Sequence, residues 1–315
     1  MASEVRTRQT SPHEKRVDRA LALSTRVAAG LVWLLLAAIV AALVYYALPA
    51  MQQFGFGFVT STTWNPASGR EEYGILPMMY GTFISSFIAL LFAVPLGLGA
   101  AIFLNEDFLP VRLRGVLIFL VELLAAIPSV IYGLWGIFVV IPLMEPMGDW
   151  LHANLGWIPL FGSPSIGPGI LPASIVLAIM ILPITTSLSQ SSLLALPSDL
   201  RDGALGLGAS RWTTIFRVLV PAAFSGIAGG VLLALGRALG ETMAVTMLIG
   251  NSNQLSFSLL APGNTIASLL ANQFAEAKDL QVSALIYAAL VLVMMTFVVN
   301  ALGFRIVESV RRKNR

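Results

Sequence analysis

Cysteine is absent from this 315-residue chain, and histidine occurs only twice, as His13 and His152. Without cysteine there is no disulfide framework, no thiolate zinc site and no iron–sulfur cluster. The two histidines fall in a polar tail and an expected loop, so neither an HExxH metal site nor a Ser-His-Asp triad can be assembled. Lysine is also scarce. Lys15, Lys278 and Lys313 follow Glu14, Ala277 and Arg312, so the Gly-Lys pair of a Walker loop is missing and ATP hydrolysis by that route is excluded. Charged residues make up 11% of the chain, against about 25% in soluble domains. What remains is apolar: 57% hydrophobic residues before 27 glycines are counted, with a mean hydropathy of +0.83. Such a composition describes a membrane protein.

A hydrocarbon core about 30 Å thick requires about 20 apolar residues per helix. Six runs qualify: Val27–Ala50, Met79–Leu104, Gly115–Pro142, Gly169–Gln190, Ala222–Gly250 and Val282–Phe304. Four carry no charge, the third holds Glu122, and the fifth holds Arg237 and Glu241. With the N-terminus placed inside, sixteen of the nineteen basic residues face the cytoplasm, including Arg6, Arg8, Arg112, Arg114, Arg201, Arg211 and Arg315. Arg70 and Lys278 fall outside and Arg237 in the membrane. Both termini are therefore expected in the cytoplasm. The first run exceeds the about 7–15 residues of a signal-peptide core and reads as a retained anchor.

The expected organisation is a polar tail over 1–26, interrupted by Ser11 and Pro12, an anchor over 27–50 and an external connection over 51–78. A five-helix transmembrane domain over 79–304 and a basic tail over 305–315 follow. Thr63-Trp64-Asn65-Pro66 with Glu71-Glu72 predicts an ordered turn in the first external connection. A second connection, Leu143–Pro168, has Trp150 and Trp157 at headgroup level, and a third, Asn251–Gln281, carries a short helix near Ala267–Ala277. The net charge of +3 comes mainly from the chain ends and suits an anionic lipid surface rather than nucleic acid.

Between the fourth and fifth runs lies Leu196-Pro-Ser-Asp-Leu-Arg-Asp-Gly-Ala-Leu-Gly-Leu-Gly-Ala-Ser. Ser198 suits an N-cap, with Asp199 and Asp202 in the first turn. Gly206 and Gly208 stop the helix, Ser210 caps another, and Pro221 marks the approach to the fifth span. The product is a helical elbow able to enter a groove on a partner.

The spacing Asp202-Gly203-Ala204, then Gly208, then Val218-Leu219-Val220-Pro221 resembles the EAA loop of ABC importer permeases, with Asp for Glu and Gly for the first Ala. Trp64-Asn-Pro, Tyr73-Gly-Ile-Leu-Pro-Met, Gly81-Thr-Phe-Ile-Ser-Ser, Ala126-Ile-Pro-Ser-Val-Ile-Tyr-Gly and Arg237-Ala-Leu-Gly-Glu-Thr-Met narrow the likeness. From Thr63 to Phe304 the chain resembles the PstC family of phosphate-specific, binding-protein-dependent type I ABC permeases. That resemblance implies an all-α integral membrane fold of six transmembrane helices with a cytoplasmic coupling helix, in the bacterial inner membrane. It also implies a PstA-like permease partner, two PstB-like ATPase subunits carrying ATP-Mg, a PstS-like binding protein and inorganic phosphate as cargo. No cofactor is expected in this chain itself.

Arg237 lies in an apolar run, where a bare charge costs about 2.5–3.5 kcal/mol on insertion scales. Glu241, four residues on, falls on the same helical face about one turn away, close enough to pair with it. One reading has Arg237 grip a tetrahedral oxyanion through paired hydrogen bonds, with Glu241 holding the arginine when the site is empty. The other is an ion pair that only orients the helix. The resemblance implicates this segment in phosphate movement. Ser129, beside the helix-breaking Pro128, is a pathway hydroxyl or a packing residue. Glu122 reaches the interface or serves as a proton or substrate group. Glycine runs near Pro95 and Gly226 read as close helix contacts. A sulfate or molybdate permease, a proton-coupled carrier and a non-transporting scaffold are the alternatives.

Overall fold

The computed structural model describes residues 12–67, 71–106 and 108–313. Arg6, Arg8, Ser11, Arg70 and Arg315 lie outside them. Helix α1 (Pro12–Phe54) precedes a single turn α2 (Gly57–Thr60), the strands β1 (Trp64–Asn65) and β2 (Glu72–Tyr73), and α3 (Leu76–Asn105). Then come α4 (Val111–Ala125), α5 (Ser129–Trp135), α6 (Ile141–Leu155), α7 (Ile170–Leu194) and α8 (Ser198–Gly206). The chain ends with α9 (Arg211–Thr214), α10 (Val220–Leu239), α11 (Met243–Leu248), α12 (Ile266–Gln273) and α13 (Asp279–Lys313). Among the described residues, six continuous helical runs are long and apolar enough to cross a membrane, as the hydropathy pattern requires.

Two of the runs differ from expectation. The third, drawn over Gly115–Pro142, is broken: α4 ends at Ala125, and Pro128 precedes a new run that crosses as Ser129–Leu155. Proline cannot donate to the carbonyl four residues back, and it drives its predecessor, Ile127, out of the helical region. The 15 residues of α4 span about 22 Å at 1.5 Å each, too short to cross alone. Residues from Leu143, expected in a connection, therefore stay helical to Leu155. His152 lies in that helix rather than in a solvated loop, its Nδ1 2.9 Å from the Phe161 carbonyl. The fifth run is shifted from Ala222–Gly250 to Arg211–Leu239, because the chain turns at Gly240.

The ends are also more helical than a tail reading allows, with α1 starting at Pro12 and α13 continuing to Lys313. At 43 residues, α1 measures about 64 Å, twice the hydrocarbon thickness. Its register against α13 is fixed by Ser283, whose Oγ accepts from Ala50 N (3.0 Å) and donates to Tyr46 O (2.9 Å). That hydroxyl sits between an i, i−4 pair beside Pro49, as a side chain does where proline opens the ladder.

Two wide turns have one cause. Ile141 N–H bonds Gly136 O and Val220 N–H bonds Ile215 O, making π turns over Gly136–Val140 and Ile215–Leu219. Each is followed, after one residue, by a proline, Pro142 or Pro221. The ring would collide with the carbonyl four residues back in a regular helix, and a widened turn relieves it.

The bundle centres on α7, whose most apolar stretch is 72% buried, against 0% for α1. The main core joins Ala89 and Ala93 of α3, Tyr132 of α5, Val176, Leu177 and Ile181 of α7, and Ala234 of α10 with Leu248 of α11. Helix α3 comes close to α7 because Gly97 has no side chain: a Cβ there would stand within 3.0 Å of Thr185 Cβ. A second cluster, Phe58, Trp64, Tyr73, Ile266 and Leu285, packs the far end. There the expected turn is an antiparallel pair, Trp64 opposite Tyr73 and Asn65 opposite Glu72. Trp64 Nε1 donates to Gln273 Oε1 of α12 at 2.8 Å, tying the hairpin to the bundle.

Candidate functional site

Helix α10 carries Arg237 in its last turn, and Gly240 ends the helix. A continuous helix would place Glu241 one turn from Arg237, as the spacing predicts. Instead Glu241 lies past the break, and among the described residues no ion pair within 4.0 Å joins the two. Glu241 is buried, and its Oε1 accepts from Ala244 N at 3.3 Å, capping α11. A carboxylate at a helix start meets unpaired N–H groups and a favourable dipole.

Arg237 is exposed. It lines a cavity of about 840 Å³ with Ile184, Gly236, Glu241, Asn300 and Phe304. The walls are mostly apolar, which leaves the guanidinium as the cavity's cation and Glu241 as its anion. Such a surface attracts a small oxyanion at one point only, through a group with five donors in a planar fork.

Glu122 lies on α4 rather than in a membrane-crossing run, and lines a neighbouring cavity of about 370 Å³ with Pro183 and Ser187. The two cavities share Ile184 and Leu233. Ser129 is the first residue of α5 and is half-buried; it is not among the residues lining the Arg237 cavity. The break beside it is closed differently: the Leu124 carbonyl, four residues before Pro128, accepts from Tyr132 Oη at 2.8 Å.

The elbow folds as its glycines require, with two corrections at its start. Pro197, not Ser198, occupies the cap position, and Asp199 alone is acidic in the first turn, with Asp202 further along. Asp202 and Gly203 are exposed and Ala204 half-buried on α8. Gly208 has φ +85°, the left-handed region where a Cβ is disfavoured. Ser210 caps α9 by accepting from Thr213 N. Leu207, at the tip, is 91% exposed. Pro221 is exposed at the start of α10.

One residue at this end escaped the sequence reading. Glu106, just past α3, is buried, and it contacts Arg201 of α8 at 2.5 Å and Arg211 of α9 at 3.5 Å. In the sequence Arg201 and Arg211 count only toward the asymmetry of basic charge. The available signal was an acidic residue closing a long apolar run.

A bundle of crossing helices, a cavity with a single arginine and an exposed helical elbow define a membrane permease. The chain belongs to the family of binding-protein-dependent transport system inner membrane components, whose profile matches residues 93–315. It is 46% identical over 286 residues to the phosphate transport system permease protein PstC of Mesorhizobium japonicum, with 89% of this chain and 86% of that one covered. To the protein of the same name from Pasteurella multocida it is 40% identical over 295 residues, covering 92% and 91%. Among solved structures, a bacterial ABC transporter involved in the import of the acidic polysaccharide alginate is similar in fold. Its TM-score is 0.61 at 17% identity, over 95% of this chain and 99% of that one.

Proposed function

We propose that this chain is the permease subunit of an ATP-driven phosphate importer, forming half of the translocation pathway. The observation that carries the reading is Arg237, which stands at the end of a broken membrane helix, lines a cavity of about 840 Å³ and, among the described residues, has no ion-pair partner within 4.0 Å. An intramembrane cation in that setting serves a substrate or a partner. The names of the similar proteins supply phosphate as the substrate.

In this reading Arg237 receives the anion. Glu241, fixed by Ala244, sets a negative limit beside it, so that phosphate leaves as readily as it enters. Glu122 and Ser129 are assigned no contact with phosphate. The chain's termini and the elbow face the cytoplasm, following the asymmetry of basic residues. A PstA-like permease completes the pathway, a PstS-like protein delivers phosphate from outside, and two PstB-like subunits hydrolyse ATP-Mg. Asp202, Gly203, Ala204, Gly208 and Pro221 shape the dock for one ATPase, with Leu207 at its tip. Closure of the ATPase pair moves the elbow and opens the Arg237 region outward, and hydrolysis resets it.

The test is uptake of labelled orthophosphate at low concentration by cells with and without the chain, with excess sulfate and molybdate as competitors. Chain-dependent uptake that ignores both competitors is expected. Uptake unchanged by the deletion, in cells lacking any other phosphate importer, overturns the reading. Loss of uptake when sulfate or molybdate is added overturns the choice of substrate. Persistence of uptake after collapse of the proton gradient, while ATP remains, separates the importer from a proton-coupled carrier.

A further inference from the structure

The carboxylate of Glu106 is 5% exposed and faces two guanidiniums from different elements. Oε1 accepts from Arg201 Nη2 at 2.5 Å, and Oε2 lies 3.5 Å from Arg211 Nε. Arg201 stands on α8 immediately before Asp202, and Arg211 opens α9 on the other side of Gly208. One acid thus spans both arms of the elbow and joins them to the end of α3. Arg211 is held a second time, its Cζ 4.0 Å above the Phe108 ring. Phe108 in turn packs on Phe103 of α3 and Trp212 of α9, with ring centroids at 5.8 and 5.7 Å.

The turn of the elbow is held by its own backbone, Leu207 N donating to Gly203 O, Gly208 N to Leu205 O and Ala209 N to Ala204 O. At Gly203, Gly206 and Gly208 the place of a Cβ is open, with no remote atom of the described residues within 4 Å of it. A force applied at Leu207 would bend such a segment unless its arms were fastened elsewhere. A shielded carboxylate cannot give up its cations without a large desolvation penalty, and charge-assisted hydrogen bonds fix direction as well as distance. Beyond Glu106, α3 lies along α7 through the Gly97 contact, and Ile184 of α7 lines the Arg237 cavity. A continuous set of packed elements therefore runs from elbow to cavity.

We propose that Glu106 is a positioning residue for transport: it locks both arms of the elbow to α3, so that movement of a docked ATPase reaches the helices around Arg237 instead of being absorbed at Gly208. The inference rests on the elbow being the ATPase dock. It assigns Glu106 no contact with phosphate or ATP.

The experiment uses the whole importer in proteoliposomes, with ATPase and binding protein, and reads orthophosphate delivered per ATP hydrolysed. Glu106→Gln should keep the ATPase in the purified complex and its hydrolysis within about twofold, while phosphate per ATP falls at least tenfold. Glu106→Asp should restore most of the ratio. The triple variant Glu106→Arg, Arg201→Glu, Arg211→Glu inverts both pairs, keeping one charge between two of the opposite sign, and should restore part of it. An unchanged ratio in Glu106→Gln overturns the proposal. Loss of the ATPase from that complex also overturns it, since Glu106 would then serve docking alone. If Glu106→Gln fails to assemble, the triple variant decides: assembled and coupled supports the lock, assembled and uncoupled overturns it. Leu207→Asp tests the dock independently, and an ATPase that stays bound and drives normal uptake there removes the dock reading whatever Glu106 does.

Discussion

Tyr132 closes the gap that Pro128 opens: its hydroxyl donates to the Leu124 carbonyl at 2.8 Å, the position a backbone N–H would fill in an unbroken helix. The break between α4 and α5 is thereby held as a defined joint, and α5 packs in the main core through Tyr132. Tyr132→Phe keeps the ring and removes the shorter donor, leaving the carbonyl only Ile127 N at 3.4 Å. A loss of about 1 kcal/mol is expected, read as a lower midpoint of thermal unfolding in detergent. An unchanged midpoint would show that water or lipid replaces the hydroxyl.

Arg237→Gln should abolish phosphate uptake while the complex still assembles, because the neutral amide keeps much of the length but loses charge and fork. Arg237→Lys separates the two contributions. A lysine keeps the charge as a point and cannot make two parallel bonds, so uptake at least tenfold below the parent is expected. Measured together with co-purification of the partner subunits, normal uptake by Arg237→Gln sinks the assignment.

Much of this was legible before any coordinates, and the failures have physical causes. Run lengths and charge counts gave six crossings, and the positions of Gly206, Gly208 and Ser210 gave the elbow. Hydropathy does not register a helix break, however, because an apolar residue before a proline is as apolar as one inside a helix. So Gly115–Pro142 was read as one span, although Ala126-Ile127-Pro128 already carried the signal. Helical spacing likewise paired Arg237 with Glu241 because Gly240, between them, was not given the weight of a terminator. Glu106 is marked in the sequence only as an acid closing an apolar run, and its pairing is not legible: its partners lie 95 and 105 residues away, and only folding brings them together.

Gly208 supplies a graded test of the elbow. Its φ of +85° is open to glycine, tolerable for asparagine and poor for β-branched residues, while the space around it is free. The cost of a Cβ here is conformational, about 1–2 kcal/mol. Uptake should fall in the order Gly208, Asn, Ala, Val, with Gly208→Val uncoupling or losing the ATPase. Equal uptake across the series would separate the bend from function.

Gly203 is a different case, an exposed helical position with open space for a methyl group. Gly203→Ala should stabilise α8 by about 1 kcal/mol and leave uptake at or above the parent level. The resemblance to the EAA loop points the same way, since alanine is the residue that loop carries there. A fall in uptake with unchanged assembly would mean that α8 must flex during transport.

Tyr73 tests the far end. Its hydroxyl is buried without a hydrogen-bond partner, while its ring packs among Phe54 and Trp64. Burial pushes the phenol above its ordinary value of 10.0, and the charge of Glu71 pushes in the same direction. The unfolded chain therefore loses the proton first as pH rises, so the tyrosine's contribution is fully present below about pH 10 and declines above it. Tyr73→Phe removes both the unpaired hydroxyl and that decline. At neutral pH the variant should match or exceed the parent by up to about 1 kcal/mol, and its advantage should widen between pH 10 and 11. Thermal unfolding in detergent across that range reads both effects. A variant less stable than the parent at neutral pH would mean that the hydroxyl has a partner in the assembled transporter, which would make the hairpin end a contact surface.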